Sequence, residues 1–125
     1  MTSEPIKIFA TLTLTPEGDK SEILRESGEM LLKEDKALIK MGERRIQIER
    51  DRVLIRQGYL LQLRRDGETA LDYPTPYGVL AMKVRTHKLE ISADRRKVKA
   101  KYSLYSAGER LHDIEMKLKI ETEKK

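Results

Sequence analysis

Apolar and polar residues alternate one for one through most of this chain, and that period leaves little choice of fold. It is clearest near the C-terminus. Val98, Ala100, Tyr102 and Leu104 alternate with Lys97, Lys99 and Lys101. The chain turns at Ala107-Gly108-Glu109, and Ile114, Met116, Leu118 and Ile120 then alternate with Glu115, Lys117, Lys119 and Glu121. A period of two puts successive side chains on opposite faces of an extended backbone, so each strand is half buried.

The same pattern opens the chain. Ile6, Ile8, Ala10, Leu12 and Leu14 share one face, ending at the turn Pro16-Glu17-Gly18-Asp19. Residues 20–34 mix helix formers with Gly28, which costs a helix about 1 kcal/mol relative to Ala. In a strand the same glycine marks a bulge or sharp coil, and the parity of Leu24, Met30 and Leu32 predicts a long strand bent at Gly28. Short runs follow at Ala37–Met41, Ile46–Ile48, Val53–Ile55 and Tyr59–Leu63, separated by Gly42-Glu43, Asp51-Arg52 and Gly58. Asp66-Gly67 is a loop signal; Leu80, Met82 and Val84, then Leu89 and Ile91, complete the pattern, with a turn at Asp94-Arg95-Arg96.

Eight to ten short strands with local turns leave no room for a βαβ unit. The expectation is a single all-β domain over residues 1–125, ordered from 5 to 122 with frayed termini. It is an antiparallel meander that hides its edges by closing into a barrel of eight to ten strands. The inward list is aliphatic, about three residues per strand, with Tyr59 and Tyr102 the only large rings. Such a barrel is mostly solid, with any cavity small and confined to the end near Tyr73–Gly78.

Composition narrows the function classes. The chain has no cysteine, which removes disulfides, thiolate metal sites and thiol nucleophiles. No apolar run is long enough for a helix to span a bilayer, and the N-terminus has no signal-like apolar stretch, so a soluble cytoplasmic protein is expected. Net charge is +5, with 26 basic against 21 acidic residues. Charged residues make up 38% of the chain, Asn is absent and only three Gln occur, a composition that resembles thermophilic proteins.

Gly28, the Arg56-Gln57-Gly58 turn, the set Tyr73, Thr75 and Gly78, the strand Met82–Thr86 and Gly108-Glu109 together resemble the bacterial YwiB-like family, a family of unknown function. The resemblance runs from residue 6 to residue 121. It implies a calycin-like, or lipocalin-like, antiparallel barrel and carries no established activity.

Catalytic constellations are thin. His87 and His112 are far apart in sequence and lack metal-ligand spacing; some barrels of this class bind haem, but nothing local supports an axial role. No serine has a neighbouring His and acid in sequence, and no phosphate loop occurs. No catalytic residue, metal or cofactor is assigned, and an enzyme of unknown reaction ranks behind two binding readings.

The first is a small, partly apolar ligand at a barrel mouth. Pro74 and Pro76 remove two ladder donors, so residues 73–78 belong at an edge or across an opening. Tyr73, Thr75 and Tyr77 would gate that mouth, with Arg56, Thr86 and the inward phenol of Tyr102 beside it. The bland alternative is a rigid crossover whose tyrosines cap the core. The second reading is a basic outer face on the hairpin of residues 97–119. A regular pairing sets Lys99 against Lys117, Lys97 against Lys119 and Lys101 against Glu115. Like charges directly opposite destabilise a sheet, so a stretch that accepts them is a candidate for RNA or an acidic protein, with Lys83 and Arg85 extending the patch. The bland alternative here is that edge lysines guard against aggregation, with Glu90 and Glu115 neutralising them. Oligomeric state is not legible.

Overall fold

The structure is a computed structural model that describes residues 4–122. Residues 123–125, expected to fray, lie outside the described residues. Ten strands follow in order: β1 Ile6–Pro16, β2 Glu22–Lys33, β3 Lys36–Met41, β4 Arg44–Ile48, β5 Arg52–Arg56, β6 Leu60–Arg64, β7 Glu68–Thr75, β8 Gly78–Ile91, β9 Lys97–Ser106 and β10 Glu109–Thr122. There is no helix among the described residues. All ten form one sheet in the order β6-β5-β4-β3-β2-β1-β10-β9-β8-β7, every described pair antiparallel. β1 and β10 meet in its centre, with Leu12 opposite Leu118.

The inward faces make one core. Ile8, Met30, Met41, Ile48, Leu63, Val84 and Met116 have no exposed surface. These medium-sized aliphatics, with Leu12, Ile46 and Leu118, line the interior of the barrel. β2 pairs through Gly28 with no register shift on either side, so no bulge forms there; the glycine has a packing reason instead. A Cβ on Gly28 would run into the main-chain carbonyl of Lys40, its neighbour on β3. Only glycine lets the two backbones approach so closely.

β6 and β7 end the sheet order, and they meet each other to leave a nearly closed barrel. They share no ladder. Thr69 Oγ1 donates to the Gln62 carbonyl at 2.6 Å. The Arg64 amide donates to Thr86 Oγ1 at 3.3 Å, and the Thr86 amide donates to the Gly67 carbonyl at 3.0 Å. The rings of Tyr59 and Tyr73 pack with centroids 5.0 Å apart at the other end of this seam. Side chains thus close the barrel where main-chain pairing stops.

The β9–β10 hairpin turns on Ala107 and Gly108, both with positive φ (51° and 82°), the backbone of a two-residue type I′ turn. That turn pairs Ser106 with Glu109 and would bring Lys99 opposite Met116, an outward residue against an inward one. A register shift between Arg110 and His112 adds one residue. Lys99 then faces Lys117, Lys97 faces Lys119 and Lys101 faces Glu115, the pairing expected from a regular hairpin about Ala107-Gly108-Glu109, reached here through a shorter turn and a bulge.

One inward assignment fails at the rim, and one buried residue was missed. Leu80 is exposed because the β7–β8 hairpin runs on past the barrel, and its tip has nothing to bury against. Leu71 of β7 is buried, although no strand was assigned there from sequence.

Candidate basic interface on the outer sheet

The outer face of β2, β1, β10 and β9 carries ordered rows of side chains. One row reads Arg25, Thr11, Lys119, Lys97 across the four strands. The next reads Ile23, Thr13, Lys117, Lys99, and continues to Glu90 on β8. A third places Lys101 between Glu115 and Lys88. Arg25, Thr11, Lys119 and Lys97 of the first row and Thr13, Lys117 and Lys99 of the second line a groove of about 680 Å³, with Phe9 and Glu121.

The acids on this face are committed to some of the cations. Lys88 pairs with Glu90 at 3.2 Å, Lys117 with Glu115 at 3.8 Å and Lys119 with Glu121 at 3.3 Å. Arg25, Lys97, Lys99 and Lys101 have no ion-pair partner among the described residues. β9 and β10 lie inside the sheet, not at its border, so guarding an edge does not account for their lysines. Lys83 and Arg85 lie farther along β8. Lys83 pairs with Glu68 at 3.5 Å, Arg85 stands opposite Glu68 in register, and neither lines the groove.

The residues expected at a mouth do not converge. Thr75 and Tyr77 form the tip of the β7–β8 hairpin: Thr75 Oγ1 donates to the Gly78 carbonyl at 2.6 Å and accepts from the Tyr77 amide. Tyr77 is 99% exposed and caps nothing. Residues 73–75 do lie on an edge strand, as the prolines require. Tyr73 packs against Tyr59 across the seam. Thr86 is buried at the opposite end, by the β6–β7 turn, where its hydroxyl and amide close the barrel. Arg56 points outward from β5 over a cleft of about 570 Å³ lined by Leu31, Leu38, Leu54 and Leu60. Two of the six residues therefore serve closure and one lies on the outer wall.

Tyr102 is inward and only 4% exposed. Its phenol makes no side-chain hydrogen bond among the described residues, against the expectation of a partner. Burial pushes its pKa above the ordinary tyrosine range, and the nearby Tyr59 adds to the shift. Tyr59 is raised by burial and by Tyr73, partly offset by the Gln57 amide that donates to its hydroxyl at 3.1 Å. Arg44 holds Gln57 through a 2.7 Å bond and reaches Glu26 at 3.6 Å.

Sequence reading missed one polar cluster. Ser103 faces outward yet is wholly buried, with His87 Nε2 2.6 Å from its Oγ and Asp113 Oδ1 accepting its proton. Arg110 pairs with Asp113. A carboxylate only accepts, so the serine proton is committed to Asp113 and His87 donates to the serine oxygen. That is the reverse of an activated serine, whose proton a histidine takes. The register that sets Lys99 against Lys117 also sets Ser103 against Asp113, so the signal was present in the pairing. No group of three or more His, Asp or Glu is placed to hold a metal among the described residues. No helix there is long and apolar enough to cross a membrane.

A family model described as a domain of unknown function, DUF1934, matches residues 23–118. The fold is similar to the crystal structure of the ywiB protein from Bacillus subtilis, with TM-score 0.72 over 96% of this chain and 92% of that one, at 17% identity. No curated protein matches the sequence.

Proposed function

The chain belongs to that family, and we propose that it is a non-enzymatic β-barrel binding module that takes an anionic polymer on the outer face of β2, β1, β10 and β9. One observation carries the reading. Lys97 and Lys99 stand directly opposite Lys119 and Lys117 in the middle of the sheet, with Arg25 in the same groove. Opposed like charges cost a sheet up to about 1 kcal/mol per pair relative to Ala–Ala, and an anionic partner turns that cost into attraction. The mouth residues do not converge, which supports the outer surface over a ligand held at the barrel mouth.

The test is binding of labelled long-chain polyphosphate followed by fluorescence anisotropy. Micromolar or tighter binding at low salt is expected. Affinity falls linearly in log–log terms as salt rises, with a slope of about −3 for a site engaging four or five charges. Lys97→Glu with Lys99→Glu lowers affinity by about tenfold or more. Lys83→Glu with Arg85→Glu, away from the groove, changes it less than about threefold. Equal losses from both pairs would sink the assignment to this face.

A further inference from the structure

The groove holds one residue that charge alone does not explain. Phe9 is 38% exposed on the outer face of β1, two residues from Thr11, and lines the same groove as the five cations. It is the chain's only phenylalanine. A phenyl ring has no polar end to keep in water, and its open face can stack against a flat group. From this, and resting on the polyanion reading above, we infer that the polymer is a single-stranded nucleic acid, with a base stacked on Phe9 and phosphates on the lysine rows.

The spacing fits an extended strand. Outward residues along β9 recur about every 6.7 Å, and neighbouring strands lie about 4.8 Å apart. Successive phosphates of an extended single strand fall in that range, so Lys97 and Lys99, or Lys119 and Lys97, can meet adjacent phosphates. Thr11 stands in register between Arg25 and Lys119, and Thr13 opposite Lys117. Their hydroxyls can bond phosphate or sugar oxygens. Glu121 stands across from Phe9 and holds Lys119, which sets one end of the track.

Other partners fit less well. A duplex is read by an element that enters a groove, and the groove residues here all lie on the sheet wall. An acidic peptide would use the lysines but gains nothing specific from a bare ring. Aromatic platform plus basic track is the combination that binds single strands with little sequence preference, each stacked base contributing about 1–3 kcal/mol.

The experiment uses the full chain and four probes of matched charge: oligouridylate, the same length as an RNA duplex, polyphosphate and polyglutamate. The expected result is at least about tenfold tighter binding of the single strand than of the other three. Phe9→Leu, which keeps an apolar side chain and removes the ring, weakens oligouridylate by about tenfold and leaves polyphosphate within about twofold. Phe9→Trp keeps single-strand binding, and its emission is quenched when the oligonucleotide is added. An unchanged melting temperature in both variants shows the groove is intact. Equal affinity for all four probes, or no effect of Phe9→Leu, overturns the stacking inference while the polyanion reading stands. Tighter binding of duplex or polyglutamate overturns it in favour of that partner. Failure to bind any probe removes both.

Discussion

Tyr59 and Tyr73 face each other with ring centroids 5.0 Å apart and planes tilted by 56°, where the two terminal strands of the sheet meet without a ladder. The pair does the work that backbone hydrogen bonds do elsewhere in the barrel. A tilted aromatic pair contributes about 0.5–1.5 kcal/mol beyond its buried area. Tyr73→Ala is therefore expected to lower the melting temperature by several degrees, and Thr69→Val, which removes the bond to Gln62, by a similar amount. Tyr77→Ala, at the exposed hairpin tip, should leave it within a degree or two. Equal effects from Tyr73 and Tyr77 in calorimetry would contradict a seam held by side chains.

Gly28 tests how closely β2 and β3 must approach. Its hypothetical Cβ meets backbone, not the end of a flexible side chain, so neither strand can yield cheaply. Gly28→Ala should cost about 2 kcal/mol or more in urea unfolding, at the upper end of ordinary substitutions. A loss under about 0.5 kcal/mol would show that the strands can separate.

The lysine rows predict a trade between stability and binding. Lys97→Glu sets a carboxylate opposite Lys119 and should stabilise the fold by about 0.2–1 kcal/mol. The same change should weaken polyphosphate binding. A variant that loses both stability and binding would show that the lysines serve packing along their stems.

Tyr102 predicts a loss of stability in alkali. Its folded pKa is raised by burial, while the unfolded phenol titrates near 10. Below that value both states hold the proton and pH has no effect through this group. Above it the unfolded state ionises first, so stability falls by up to about 1.4 kcal/mol per pH unit toward the folded value. Tyr59 is shifted the same way and adds to the fall. Tyr102→Phe should leave stability at pH 7 nearly unchanged, since no side-chain bond is lost, and make the decline between pH 10 and 11 shallower. An equally steep decline in the variant would assign it to other groups.

Ser103 should be inert. Its oxygen is wholly buried and its proton is held by Asp113, so a fluorophosphonate probe is expected to leave the folded protein unlabelled. Ser103→Ala removes the bonds to His87 and Asp113, and about 1 kcal/mol of stability should go with them, since Asp113 keeps Arg110 and His87 reaches solvent. Stoichiometric labelling at Ser103 would reopen an enzymatic reading.

Much of the fold was legible because alternation is a local property. Ile8, Leu12, Val84 and Leu118 announce their face by their neighbours. The Lys99–Lys117 pairing was legible for a subtler reason. A regular turn over Ala107-Gly108-Glu109 predicts it; the chain turns on two residues instead, and the shift near Leu111 adds the residue that restores inward against inward. Leu80 was misread because alternation says which face a side chain takes but not whether the barrel reaches that far.

The candidate site divides the same way. Spacing along a few residues sets the sheet, the apolar face of every strand but β7 and the lysine rows of the β9–β10 hairpin. The meeting of β6 and β7 arises in the folded barrel; it commits Tyr73 and Thr86 to closure and leaves Arg56 on the outer wall. The folded barrel alone brings Phe9, Thr11 and Arg25 from the start of the chain beside Lys97 and Lys119 near its end. Those are contacts between strands far apart in sequence, chosen by the curvature that buries one continuous core, and no local pattern encodes them.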